Sequence, residues 1–129
     1  VFSSKSNFFI EGKNLFEKNE FDKSKIYFEK DIVFNPTSEI SYLYLAKIFN
    51  KKKNDQEEEM NLKNVLLLNP KNDEAIYMLT LLRIKQSNYH EAKELIKKFN
   101  LVCNSFCSKS DEMQEKFEKL IPKDAKNKN

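Results

Sequence analysis

Apolar residues recur at three- and four-residue spacing along most of the chain, which is the signature of helices with one buried face. The clearest stretch is 73–104. One stripe runs Ile76, Leu79 and on to Arg83, a second runs Ala92, Leu95, Ile96, Phe99 and Val102, and Ser87-Asn88-Tyr89 breaks them apart. A small residue, Ala92, falls where two helices must approach closely, and Tyr89 is placed to wedge into the joint. This pattern predicts an antiparallel helix hairpin.

The hairpin recurs. Pro36 and Pro70 each follow an Asn that closes an apolar helix end, Ile32-Val33-Phe34 and Leu66-Leu67-Leu68, and they lie 34 residues apart. Asn104 lies another 34 residues on, after Leu101-Val102-Cys103. A fixed period of this size predicts stacked helical hairpins. Three units then begin near Lys5, Glu39 and Asp73. In the first, helix A carries Phe8, Gly12, Leu15 and Phe16, the break is Asn19-Glu20-Phe21, and helix B carries Ser24, Phe28, Ile32 and Phe34. In the second, Tyr42, Leu45, Ala46 and Phe49 lie on helix A, with Leu62, Val65, Leu66 and Leu68 on helix B.

On these residues the chain resembles a tetratricopeptide repeat protein. Phe8, Gly12, Phe21, Phe28 and Pro36 match the family pattern in the first unit; Tyr42, Leu45, Ala46, Phe49 and Pro70 match in the second; Leu79, Tyr89 and Ala92 match in the third. The departures are Glu11 for Leu, Arg83 for an aromatic and Asn104 for the last Pro. Asp55 and Glu58 occupy the joint and small-residue positions of the second unit, which predicts a register shift or loose packing of that helix.

The expected fold is therefore all-α: a right-handed superhelical stack of three antiparallel hairpins, with repeats at about 5–38, 39–72 and 73–106 in a single domain. After a short loop, Ser110-Asp111-Glu112 opens a further helix at about 110–121, whose Met113, Phe117, Leu120 and Ile121 form the apolar face of a cap. Pro122 ends it, leaving a polar tail at 122–129. The first helix, with Phe2, Phe8, Phe9 and Ile10, carries much apolar surface and has no such cover, as an interface would.

Composition narrows the function classes. One Gly and three Pro disfavour a sheet protein rich in tight turns. A net charge of +3, with Arg83 the single Arg among dispersed Lys, argues against nucleic acid as a partner. The run Lys51-Lys52-Lys53, followed by Asp55 and Glu57 to Glu59, reads as a solvated turn. No run is long enough to insert in a membrane. One His (His90) and two Cys make no tetrahedral metal set, Gly12 alone makes no phosphate loop, and no catalytic constellation is present. No cofactor is expected. Cys103 and Cys107 read first as a buried and a half-exposed thiol, since a bridge requires the chain to bend between them. In an oxidising compartment a local bridge is the alternative.

The resemblance implies a groove lined by the A helices that holds a peptide or helix of another protein. Its lining here is Phe9, Lys13, Phe16, Leu43, Tyr44, Lys47, Tyr77, Met78 and Leu81, with Phe2 and Phe8 at the exposed end. The carboxylate clamp of the chaperone-tail-binding branch is not matched: its positions hold Phe9, Lys13, Tyr44, Glu74 and Met78. The chain is thus expected to be a non-catalytic interaction module or adaptor. The alternative is a subunit that self-associates through its first helix; an accessory domain of an enzyme ranks below both. A start at Val1 without Met suggests a trimmed leader, hence a lean toward a cell-envelope assembly and otherwise the cytoplasm.

Overall fold

A computed structural model describes residues 6–121. Phe2 and Lys5, and the predicted tail from Pro122 onward, lie outside the described residues. Among the described residues every regular element is helical. In chain order they are α1 (Asn7–Glu17), α2 (Phe21–Phe34), α3 (Glu39–Lys51), α4 (Asp55–Leu68), α5 (Asp73–Lys85), α6 (Tyr89–Val102), a 3-10 turn at Cys107–Lys109 and α7 (Ser110–Leu120). The chain forms two compact units, the first ending at Asn69 and the second starting at Pro70.

The three hairpin joints share one backbone geometry, repeated every 34 residues. Asn19, Lys53 and Ser87 have φ of 62°, 57° and 57°, the left-handed conformation that ends a helix. The amide of the next residue reaches back to close the turn at 2.9 Å in each case: Glu20 to the Leu15 carbonyl, Asn54 to Phe49 and Asn88 to Arg83. The left-handed residue itself donates to Phe16, Asn50 and Ile84 respectively. This pair of bonds is the Schellman closure, which satisfies two carbonyls that a helix end leaves open. Asn54 and Asn88 then cap the next helix, each accepting from the amide three residues on at 3.2 Å.

In the first unit α1 packs on α2, α2 on α3 and α3 on α4. Its core is aromatic: Phe9, Phe28, Leu45 and Ile48 are buried, with Phe16, Phe21, Ile32 and Tyr44 against them. Close approach is set by residue size. A Cβ on Gly12 would lie 3.0 Å from the Phe28 ring, and the Ser24 hydroxyl donates to the Gly12 carbonyl at 2.7 Å. Glu58 does not shift the register of α4, which runs unbroken; the carboxylate is buried, and the Asn50 side-chain amide comes to within 3.3 Å of it. A hydrogen-bond donor on the facing helix offsets the burial cost that an isolated carboxylate would carry.

In the second unit α5 and α6 form the hairpin, and α7 packs on both through buried Met113 and Phe117, as a cap should. Arg83 fills a buried position, with its Nε 2.8 Å from Glu91 and its Nη1 donating to Gln86 at 2.9 Å. Tyr89 is not a wedge: it is the first residue of α6 and 42% exposed. The Arg83–Glu91 pair ties the two helices beside the joint instead.

A side chain with a Cβ costs about 1–2 kcal/mol in the left-handed region, partly offset by the backbone freedom glycine loses on folding. Ser87→Gly and Lys53→Gly are therefore expected to stabilise the chain by roughly 0.5–1 kcal/mol each in urea unfolding, and Asn19→Gly by less, since Asn tolerates this conformation.

Candidate interaction surfaces and the helix-end clamps

Carboxylates hold helix ends together in both units, and in each unit one of them accepts from several donors. Asp31, on α2, is buried and accepts from the Ser41 hydroxyl at 2.5 Å, the Ser6 hydroxyl at 2.5 Å and the Asn35 amide at 2.9 Å. Ser6 caps α1, Asn35 ends α2 and Ser41 lies in the first turn of α3, so one side chain joins three helices. Burial alone would push the Asp31 carboxyl up. Hydrogen bonds from Ser41, Ser6, Ser38 and Asn35 outweigh it and hold the group below the usual carboxylate range.

Asp73, the first residue of α5, does the same for the chain leaving α6. Its carboxylate accepts from the backbone amides of Asn104 at 2.7 Å and Phe106 at 2.8 Å. Burial again works to raise its pKa and is outweighed, here by the amides of Asn104, Phe106, Glu74 and Ser105. Glu39, 34 residues earlier at the start of α3, accepts from the Asn69 amide at 2.9 Å where α4 ends. An acid at the first position of a helix also meets the positive end of its dipole.

The loop that Asp73 holds is closed by a disulfide. Cys103 and Cys107 are bonded, with Cα atoms 5.2 Å apart, so the reading of two free thiols is corrected. The bend that a bridge requires is present, because α6 ends at Val102 and Cys103 is already extended, with ψ of 148°. Closing so short a loop removes unfolded-state freedom worth roughly 2 kcal/mol. Phe106 from this loop packs on Tyr77 at 5.9 Å, and Lys109 lies 5.8 Å over the same ring. The Tyr77 hydroxyl donates to Glu112 on α7. Burial first, then the bond to Glu112 and its charge, push Tyr77 up to about 12.

The structure divides the predicted groove residues into different roles. Phe9 and Leu43 are buried, 2% and 5% exposed, so they belong to the core and cannot line a groove. Phe16 and Tyr44 are half-buried in the aromatic cluster, Tyr44 stacked on Phe28 at 4.9 Å and edge-on to Phe16 at 5.1 Å. Lys47 lies 5.0 Å over the Tyr44 ring, and Lys13 is half-buried. Tyr77 is engaged by the loop and α7, while Met78 and Leu81 are half-buried. Phe8 is not a bare end: its ring stacks on Phe34 at 5.6 Å beneath Lys30, 5.7 Å away.

The most exposed large apolar side chains lie elsewhere. Val33, Leu67 and Leu101 are 75%, 82% and 85% exposed, at the ends of α2, α4 and α6 and 34 residues apart. On α2, Ile26 lies two turns before Val33; on α4, Met60 lies two turns before Leu67, and both are exposed. The signal was present as an apolar residue at the same place in every unit, but the pattern alone did not distinguish it from core. Among the described residues no group of three or more His, Cys, Asp or Glu is placed to hold a metal, and no helix is long and apolar enough to cross a membrane.

No family model matches the chain, and no curated protein matches it significantly. Solved structures do. The TPR domain of Sgt2 from Aspergillus fumigatus superposes with a TM-score of 0.71 at 19% identity, over 88% of this chain and 74% of that one. The fold is thus a TPR-like array of helical hairpins.

Asp31 has a depressed pKa in the folded chain, so its stabilisation is full above its ordinary value of 3.8 and is lost as pH falls through the lower folded value. Acid unfolding followed by circular dichroism should show an acid limb that flattens in Asp31→Asn. That variant should also be less stable at pH 7, by about 1–3 kcal/mol, because an amide cannot accept from all the donors.

Proposed function

We propose that this chain is a non-catalytic protein–protein interaction module that docks a partner protein through apolar side chains on the outer faces of α2 and α4. The observation that carries this reading is the exposure of Val33 and Leu67 at equivalent repeat positions, each with an apolar residue two turns earlier on its helix. Beside Val33, Phe34 is exposed and stacks on Phe8, and beside Leu67, Leu68 is exposed too, so each helix end carries a local apolar patch of the kind that partners cover. Between the apolar positions lie Lys30, over the Phe8 and Tyr27 rings, and Lys63, paired with Glu59 at 3.1 Å. The partner that fits this face is an apolar helix or strand whose acidic flank meets Lys30.

The A-helix groove is the weaker surface, because Phe9 and Leu43 are spent on the core and Tyr44 is packed among Phe9, Phe16 and Phe28. What it offers on α1 and α3 is Lys13, Phe16, Tyr44 and Lys47, a smaller and more basic patch. The TPR-like fold supports a binding role in general, since helical arrays present extended surfaces and no enclosed catalytic site.

Photo-crosslinking in the native host locates the contact. With p-benzoylphenylalanine placed in turn at positions 33, 67, 47 and 119, the outer-face reading predicts adducts to a second protein from 33 and 67, and none above background from 119 on α7. Adducts from 47 alone would move docking to the groove, and adducts only to this chain's own copies would replace the adaptor by a self-associating subunit. With the label moved to exposed position 26 on α2 or 60 on α4, Val33→Asp with Leu67→Asp should lose the adducts while leaving unfolding within about 0.5 kcal/mol, as expected for exposed sites.

A further inference from the structure

We propose that the Cys103–Cys107 disulfide is a reversible latch that keeps α7 seated on α5, so that a dithiol reductant releases the C-terminal end of the second unit. The bridge sits in no core: Cys107 is exposed and Cys103 half-buried, so a thiolate can reach it from solvent. What it closes is a short loop that, with Lys109 just beyond it, makes contacts elsewhere. The amides of Asn104 and Phe106 hold the Asp73 carboxylate, and the Phe106 ring and Lys109 flank Tyr77. Tyr77 in turn holds Glu112 in the first turn of α7. Loop, clamp, ring and helix form one connected chain of contacts, and the disulfide fixes its first link.

The chemistry balances with a protein dithiol or two equivalents of glutathione as the electron donor. A thiolate attacks the exposed Cys107 Sγ, the Cys103 thiolate leaves, and a mixed disulfide forms on Cys107. A second thiolate from the donor then attacks the donor's sulfur in that mixed disulfide and expels the Cys107 thiolate. The disulfide gains two electrons and, with two protons, becomes two thiols; the donor becomes a disulfide. Without the bridge the loop recovers conformational freedom, and the two amides that converge on Asp73 are no longer held together. Seating of α7 on α5 then rests on Met113, Phe117 and the Tyr77–Glu112 bond, with the Ser110 hydroxyl still donating to Asn100 on α6.

Latch and clamp are thermodynamically linked. If the closed bridge favours the Asp73 contacts, those contacts must favour the closed bridge by the same factor. Two measurements on the whole chain test this. Hydrogen exchange is followed with and without dithiothreitol. Amides in 104–121 should exchange about tenfold faster after reduction, while those of α1 to α4 are unchanged; a Cys103→Ser, Cys107→Ser variant should show the fast pattern in both buffers. Titration against glutathione redox buffers should then show Asp73→Asn reduced at about tenfold lower ratios of reduced to oxidised glutathione than the wild-type chain, a shift that a passive staple would not give. Equal exchange of 104–121 in the two redox states, or an Asp73→Asn midpoint equal to the wild-type one, overturns the latch.

Discussion

A buried carboxylate that accepts from several neutral donors is the constraint around which each unit is arranged. Asp31 takes hydroxyls from Ser6 and Ser41 and the amide of Asn35, and Asp73 takes two backbone amides. Removing a carboxylate from water is costly, and hydrogen bonds of good geometry must compensate for it. The donors here are groups that helix ends leave free: a capping hydroxyl, first-turn side chains and the amides of a loop just past a helix. The clamp therefore settles two needs at once. The acid is solvated by the protein, and the ends of neighbouring helices are fixed relative to each other. Hydrophobic packing along the helices is non-directional and would tolerate sliding; a carboxylate with several directional donors does not.

Much of this was legible in the chain. Helical spacing and the 34-residue recurrence of Asn-Pro gave the helices, the hairpins and the cap helix. Sequence also placed the breaks at Asn19-Glu20-Phe21 and Ser87-Asn88-Tyr89, but it did not mark the left-handed geometry of the joints. The left-handed positions at 19, 53 and 87 are Asn, Lys and Ser, so the glycine that ordinarily flags a Schellman turn is absent at all three. Glu58 looked like a packing error because its partner, Asn50, lies on another helix, beyond any local pattern. The cysteines hinged on whether α6 continues through Cys103, and helix ends are the least certain feature of a periodic reading.

The candidate surface was legible only in part. Periodicity places Phe9, Leu43 and Tyr77 on one face of the A helices but does not say which neighbour covers that face. Phe9 went to the aromatic core, and Tyr77 to the cap helix and its loop. The exposed positions at 33, 67 and 101 were hidden for the opposite reason. An apolar run at a helix end, such as Leu66-Leu67-Leu68, reads as core throughout, and only the fold shows that its middle residue faces water. The docking surface proposed above, repeated side chains on helical frames, would need the helix ends pinned, as the clamps pin them.

The most direct test of the account is the ionisation of the two clamps, read from the side-chain carboxyl carbons of Asp31 and Asp73 by carbon NMR across an acid titration of the folded chain. Both should titrate below the ordinary value of 3.8, because the donors around them favour the charged form. Midpoints at or above that value would mean that burial wins over the hydrogen bonds. The helix ends would then be held by packing alone.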